Sequence, residues 1–320
     1  MKKSLNSQWE TGQLLLDIIW PFYEYTRSYN NLARVFKLQK TLVSILENPK
    51  FERVFGNYFK VSFYGDCFKN RNDKAYIFHE KGLIHLYDFS NELIQKNQEE
   101  NPNIKIELIK EKGEVDKSKL SDDKGYIQVT FVEPYFSKNE LKLRRTVYDK
   151  NSFISKFYFD CPFLKDSKKI QGEVDEQWIR RTIVSVKYPM PFISKIQEMS
   201  NLEVKEYPPI RVSYRQLHDQ LISFEKAIES ADTTKIQQLL HGTLLAQVNV
   251  GPCKIAEVFL SKVNEIDNNA RYIGKLKRIF SSFIPVIKCA LDIHGKMVQS
   301  QTEFRPLQDQ LEAGYISFVD

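Results

Sequence analysis

Residues 239–260 read LLHGTLLAQVNVGPCKIAEVFL, and they interrupt a region whose pattern is otherwise helical. Asn249, Gly251 and Pro252 oppose helix continuation, since glycine costs about 1 kcal/mol and proline about 3 kcal/mol in a helix interior. Breaks of this kind inside a regular element are enriched at functional sites. The pattern predicts a short loop that leaves and rejoins one helix, with Val248 and Val250 exposed at its turn. A plain helix-loop-helix corner remains the alternative.

The residues on both sides of this break, from about 207 to 320, carry apolar side chains at helical spacing. One stripe runs from Ile210 to Ile228 in steps of four and three residues, which is typical of a seam packed against other helices. A second stripe runs from Tyr272 to Leu291 and tolerates Pro285. We therefore predict a bundle of roughly four helices, the last from about Gln299 to Tyr315. Its interior should contain Tyr214, Leu217, Leu221, Phe224, Ile279, Phe283 and Ile287.

Residues 51–206 change to a period of two, with β-branched and aromatic residues in short runs. Few helices separate these runs, so the sheets should be mainly antiparallel, with one short helix at Leu86–Gln95. The charged segment Glu111–Lys124 is predicted to be a loop or a hairpin tip. The predicted strands are Asn57–Tyr64, Ala75–His79, Ile104–Ile109, Gly125–Val132, Phe153–Phe159, Ile179–Lys187 and Ile193–Val204.

Residues 1–50 contain two helical stripes, the first from Leu14 to Phe22 and the second from Leu32 to Leu46. Trp20-Pro21 should bend or end the first helix, because proline lacks the amide donor. Two helices cannot bury two apolar faces by themselves. The pair either packs on the next part of the chain or belongs to a larger helical array, and we favour the array. The fold class is α+β, with divisions at 1–50, 51–206 and 207–320.

Composition and charge exclude several classes of function. The 47 Lys plus Arg alternate with 41 Asp plus Glu along the chain, so a net charge of +6 does not suggest nucleic-acid binding. Four well-separated cysteines without a C-x-x-C pair indicate neither a zinc knuckle nor a disulfide framework, and a reducing compartment fits best. No run of eighteen apolar residues occurs. We expect a soluble, cytoplasmic protein without direct membrane insertion.

The sequence lacks the common catalytic motifs. Phosphate-binding, dinucleotide-binding, zinc-protease and serine-hydrolase signatures are all absent. His79 and His85 are close in sequence, but no further ligand pair completes a metal site around them, so both are interpreted as ordinary strand or loop residues. We predict no covalent chemistry, no metal site and no cofactor.

Several strings of the sequence resemble one family in the order in which that family carries them. The family is the catalytic region, DOCK homology region two, of the dedicator-of-cytokinesis exchange factors for Rho-family GTPases. The resemblance runs from about Trp9 to Tyr315. The strings are FGNYFKVSFYG (55–65), YIQVT (126–130), EPYF (133–136), FYFDCPF (157–163), Gln171-Gly172, Glu176-Gln177, RRTI (180–183) and QVNVGP (247–252).

The resemblance implies a helical lobe that mediates dimerisation, a β lobe and a four-helix-bundle lobe. It also implies that a GTPase binds between the last two lobes, and that an insert in a bundle helix senses the nucleotide through a valine. That valine matches Val248, within a segment that includes Asn249 and Gly251. Gln128, Thr130, Gln247 and Val250 are the expected GTPase contacts. The insert resembles the zizimin-like branch, which acts on Rac and cell-division-cycle types of GTPase.

Two departures from the family pattern affect these expectations. The helical lobe has only about fifty residues, so a homodimer contact through it would be incomplete. Val250 and Cys253 replace the small residue and the leucine expected beside Gly251-Pro252. A non-exchanging scaffold that binds a GTPase stays open as the alternative function. A basic RNA-binding module is a third reading, and it would show a steep salt dependence of RNA affinity.

Overall fold

The computed structural model describes residues 9–48, 54–165, 173–245, 251–261, 270–300 and 302–319. The chain divides into unit 1, Met1–Phe159 with Ile183–Glu203, and unit 2, Asp160–Thr182 with Val204–Asp320. The helices are α1 Trp9–Tyr25, α2 Tyr29–Glu47, α3 Leu86–Glu100, α4 Lys138–Leu143, α5 Pro209–Glu229, α6 Thr233–Leu240, α7 Pro252–Leu260, α8 Ala270–Ser300 and α9 Arg305–Val319. The strands are β1 Asn57–Tyr64, β2 Ala75–Glu80, β3 Ile106–Ile109, β4 Gly125–Pro134, β5 Ile154–Leu164, β6 Gln177–Met190 and β7 Ile196–Tyr207.

Helices α1 and α2 form a contacting pair at the start of unit 1. Pro21 lies inside α1, which continues to Tyr25, so the proline does not end the helix. Among the described residues of the pair only Val35 is buried, whereas Leu14, Ile18 and Phe22 are 52%, 73% and 63% exposed. The two helices therefore leave an apolar face uncovered in the described part of the chain.

The strands form one seven-stranded sheet in the order β1-β2-β7-β6-β5-β4-β3. A further pairing of β1 with β4 closes six of them into a ring, with β3 added outside β4. Strand β1 is antiparallel to both of its neighbours, β2 and β4. In this register Phe59 lies opposite Phe78 on β2 and Phe131 on β4. The mainly antiparallel sheet predicted from the sequence is confirmed.

Strand β3 is the exception, because it runs parallel to β4, with Leu108 opposite Ile127. The segment Glu111–Lys124 is therefore not a hairpin tip, and that half of the prediction is wrong. A parallel pair requires a crossover of a dozen or more residues, and the connection between β3 and β4 has that length. The connection contains a short 3₁₀ helix at Lys117–Lys119.

The core of unit 1 is aromatic and is covered by α3. Phe59 stacks on Phe89 of α3 with a centroid distance of 4.3 Å, and both rings are buried. Helix α3 extends to Glu100, five residues beyond the predicted end. Gly125 at the start of β4 lets the side chains of Ile106 and Cys67 approach the backbone closely. A Cβ added at Gly125 would lie 2.6 Å from Ile106 Cδ1 and 2.7 Å from Cys67 Sγ.

His79 is a buried strand residue of unit 1. Its ring stacks on Tyr58 at 4.7 Å, and its Nε2 lies 2.9 Å from the carbonyl oxygen of Phe55. Burial lowers the pKa of His79 below its ordinary value, the hydrogen bond to Phe55 opposing this effect. His79 thus packs the sheet as an ordinary strand residue. His85 precedes α3 in its N-cap position.

The core of unit 2 is built around α8, which contacts α5, α6 and α9. Helix α8 runs through Pro285 without ending. Tyr214 is the one member of the predicted interior that is only half-buried. Buried side chains at the helix contacts are Ile210, Leu217, Leu221, Phe224, Ile236, Leu240, Ile255, Leu276, Ile279, Phe283, Ile287, Leu291 and Leu311.

None of the helices in the described ranges has both the length and the apolar character that a bilayer crossing requires.

Candidate functional site

The interruption predicted from the sequence lies between α6 and α7 of unit 2. Helix α6 ends at Leu240 and α7 begins at Pro252. Four predicted site residues, Gln247, Val248, Asn249 and Val250, lie outside the described residues, and Gly251 lies inside them. The structure describes the residues on both sides of this segment, up to Leu245 and from Gly251 onward.

The first end is a π-helical turn, His241–Leu245, that continues α6. Thr243 at its centre is only 4% exposed. Its Oγ1 donates to the carbonyl oxygen of Leu239 at 2.7 Å and accepts from Gln220 Nε2 of α5 at 2.6 Å. Single π-helical turns inside α-helices occur frequently at functional sites. Thr243 thus ties the turn to the neighbouring helix just before the segment begins.

Helix α9 approaches the same turn closely at Gly314. A Cβ at this position would lie 3.2 Å from both Cβ and the carbonyl oxygen of Leu244, and 3.5 Å from Leu245 Cδ2. Both leucines are half-buried against the core of unit 2. The turn is therefore held by α9 as well as by α5.

The second end begins at Gly251, the N-cap of α7. Its backbone is extended, with φ −67° and ψ 159°, so the conformation itself does not demand glycine. Pro252 starts the helix, where its missing N–H costs nothing, and the Ile255 amide donates to the Gly251 carbonyl at 3.1 Å. Pro252 and Ile255 are both buried. The described residues on either side of positions 246–250 thus pack on the same core.

Replacing Thr243 with valine is expected to lower the free energy of unfolding by about 1 to 3 kcal/mol. The substitution keeps the shape of the side chain but removes the hydroxyl, which leaves Gln220 Nε2 without its acceptor in a part-buried site. Urea denaturation of both proteins measures the change. Thr234→Val on exposed α6 surface is the matched control and should change stability by less than about 0.5 kcal/mol. Equal effects of the two variants would contradict the anchoring role.

Gln128 and Thr130 of β4 are buried, with 0% and 1% exposure. Gln128 Oε1 accepts from Lys60 Nζ at 3.0 Å, and its Nε2 donates to the carbonyl oxygens of Glu111 and Gly113, each at 2.9 Å. Thr130 Oγ1 has no hydrogen-bond partner among the described residues. Gln128 therefore holds the start of the β3–β4 connection, and neither side chain reaches the surface. Their role as GTPase contacts stays a prediction.

Unit 2 also contains a charged cleft of about 440 Å³ that the sequence did not indicate. Arg181, 8% exposed, donates to Asp160 through Nε at 2.7 Å and through Nη2 at 2.5 Å. Arg211 stacks on Tyr207 at 3.9 Å, and Arg215 Nη1 lies 3.8 Å from Asp160 Oδ2. Arg181 and Asp160 are 21 residues apart on different strands, so no local pattern signals their pairing. The cleft is therefore lined by an ion-paired surface.

Groups of three or more His, Cys, Asp or Glu side chains arranged to hold a metal ion do not occur within the described ranges.

The chain is similar to a set of related proteins. Residues 112–189 match the family model described as DHR-2, Lobe B, and residues 223–320 match DHR-2, Lobe C. Dedicator of cytokinesis protein 6 of Mus musculus is 34% identical over 275 residues, which cover 85% of this chain and 13% of the relative. Dedicator of cytokinesis protein 7 of Homo sapiens is 31% identical over 317 residues, which cover 98% and 15%.

Dedicator of cytokinesis protein 8 of Mus musculus is 30% identical over 320 residues, which cover 99% of this chain and 15% of the relative. The chain thus spans about 13 to 15% of the length of these curated relatives. The two lobe matches occur in the order in which the sequence strings predicted them, and the relatives align across most of the chain. The chain belongs to the dedicator-of-cytokinesis family and carries the DHR-2 region of that family.

Proposed function

We propose that this chain is a guanine-nucleotide exchange factor for a Rho-family small GTPase of the Rac or cell-division-cycle type. One observation supports the proposal: α6 and its π-helical turn are described as far as Leu245, and α7 begins at Pro252. By resemblance, the sensor valine of the family matches Val248, which lies between these two points in the sequence. Both ends of the interruption are anchored to the core, through Thr243 on one side and Ile255 on the other. Fixed ends reduce the conformational freedom that the segment would lose on binding.

The proposed mechanism is displacement of a metal ion by an apolar side chain. Mg²⁺ helps a GTPase to hold GDP, because it neutralises phosphate oxygens. Val248 placed at the metal position would leave those charges uncompensated in a partly desolvated site, which disfavours bound GDP. The factor would bind the nucleotide-free GTPase best, and Mg-GTP would expel Val248 in turn, as reciprocal linkage requires. No covalent bond changes, and the chain needs no cofactor of its own.

The other predicted residues have supporting roles in this proposal. The GTPase would be contacted beside Val248 by Gln247, Asn249 and Val250. Gly251 would join these residues to α7 as the N-cap of that helix. Gln128 and Thr130 are buried, so they would act on the GTPase indirectly. The route we propose for Gln128 is the β3–β4 connection, whose first residues its amide holds.

We further propose the lobe organisation of the family for this chain: 1–50 helical, 51–206 β and 207–320 a four-helix bundle. In this scheme α6 and α7 are two halves of one interrupted helix, and α5, α8 and α9 are the other three. The exposed apolar face of α1 and α2 would pack on a second copy of the chain, giving a homodimer through the helical lobe.

A nucleotide-exchange assay tests the function directly. The whole chain is mixed with Rac-type or cell-division-cycle-type GTPase loaded with Mg²⁺ and a fluorescent GDP, and the rate of fluorescence loss is measured. We expect faster release with at least one of the two. A second assay measures binding to each GTPase stripped of nucleotide. Tight binding without faster release would support the scaffold alternative and contradict the exchange function.

A further inference from the structure

Helix α8 carries a strongly basic surface outside the interrupted helix. Its sequence from Ala270 to Leu291 contains no Asp or Glu, and the next residue is the exposed Asp292, one turn after Lys288. Arg271, Lys277, Arg278 and Lys288 in this stretch are all exposed. We call these four residues the basic face. None of them forms an ion pair within the described part of the chain.

The geometry of the helix places the four charges on one side. At 100° per residue they fall within an arc of about 120°, opposite the buried residues of the same helix. At 1.5 Å per residue, Arg271 and Lys288 are about 26 Å apart along the axis. The basic face is therefore a band of cations along one side of a helix whose other side is fixed in the core by Phe283 and Ile287.

Apolar anchors are missing from this face. No large hydrophobic side chain of α8 is exposed among the described residues. The exposed positions between the cations are Gly274, Ser281, Ser282 and Pro285. Protein interfaces usually have an apolar or aromatic centre, and single-stranded nucleic-acid sites stack bases on aromatic side chains. A row of Lys and Arg on a helix without such anchors matches the electrostatic contact that anionic lipids make.

We propose that the basic face of α8 binds the surface of an anionic phospholipid membrane by charge alone, without insertion of apolar side chains. Clusters of about four to eight Lys and Arg on an amphipathic helix are typical of such binding, and each cation near the surface contributes about a fivefold increase in partitioning. The face would orient unit 2 on the bilayer. This inference does not depend on exchange activity.

Vesicle co-sedimentation of the whole chain tests the proposal. Vesicles of phosphatidylcholine with about one-third phosphatidylserine should bind the protein, and pure phosphatidylcholine vesicles should not. Binding should fall steeply when NaCl is raised to about 0.5 M, since salt screens exposed charges. The double variant Arg278→Gln with Lys288→Gln should bind about 25-fold more weakly. Equal binding to both vesicle types would overturn the proposal without reference to any variant.

The matched control is Lys226→Gln with Lys235→Gln, which removes the same charge from exposed positions of α5 and α6 in the same unit. It should keep most of the vesicle binding. A loss as large as that of the α8 variant would show that only net charge matters, and it would overturn the basic face. Two further outcomes would do the same: an equal loss of binding to a soluble GTPase without vesicles, or tighter binding of single-stranded RNA than of the anionic vesicles.

Discussion

Val248→Ala should slow the catalysed release of GDP about tenfold. The substitution removes two carbons from the side chain proposed to occupy the metal position, and each carbon contributes about 0.8 kcal/mol when it is buried. The total of about 1.6 kcal/mol corresponds to roughly a tenfold change in rate. Binding to the nucleotide-free GTPase should change less, because other contacts supply most of the interface. Stopped-flow release of a fluorescent GDP measures the rate.

The control for this variant is Val319→Ala, the same truncation at an exposed position of α9. Its release rate should equal that of the unchanged protein. The melting temperature of each variant is measured on the same preparation, because a Val248 that merely packs on the core would lose activity only as the folded fraction falls. Unchanged release rates in Val248→Ala would falsify the sensor role, even if exchange activity itself were found.

Phe283→Ala should lower the free energy of unfolding by about 3 to 5 kcal/mol. Phe283 of α8 is fully buried and meets Phe224 of α5 edge to face, with a centroid distance of 6.3 Å. The variant loses the burial of the ring, leaves a cavity and removes this aromatic pair. Guanidinium or urea denaturation followed by circular dichroism at a helical wavelength measures the loss.

An exposed apolar residue of the same unit provides the comparison. Ile316 of α9 is 62% exposed, so Ile316→Ala should change stability by less than about 0.5 kcal/mol. A change of that small size in Phe283→Ala would mean that the seam of α8 does not face the core.

The seams of unit 2 could be predicted from the sequence because each helix buries one face. Leu217, Leu221 and Phe224 of α5 then recur at steps of four and three. The stripe of α8 continues past Pro285, from Phe283 to Ile287. The positions of the strands were predictable for the same kind of reason, since β-branched and aromatic residues fill them. The break before Pro252 was also visible, because glycine and proline oppose a helix locally.

The surroundings of Gln128 and Thr130 were not predictable by the same means. Strand β4 is flanked by β1, β3 and β5 and is buried on both faces over residues 127–130, so polar side chains there do not mark a solvent face. The parallel pairing of β3 depends on a long connection that resembles a hairpin tip in composition. The pairs Gln220–Thr243 and Asp160–Arg181 join residues more than twenty positions apart, and no periodicity reports such contacts.

Unit 2 consists of two separate segments of the chain, which has a consequence for its folding during synthesis. The ribosome first synthesises its segment Asp160–Thr182, then Ile183–Glu203 of unit 1, and only afterwards the rest of unit 2, Val204–Asp320. Val174, 4% exposed, belongs to the same core cluster as Leu217 and Phe283, so it stays uncovered until the helices have been synthesised. Closing such long loops costs entropy and slows folding. Unit 1 in turn cannot be completed before the first part of unit 2 has left the ribosome, so the nascent chain must hold two unfinished cores at once.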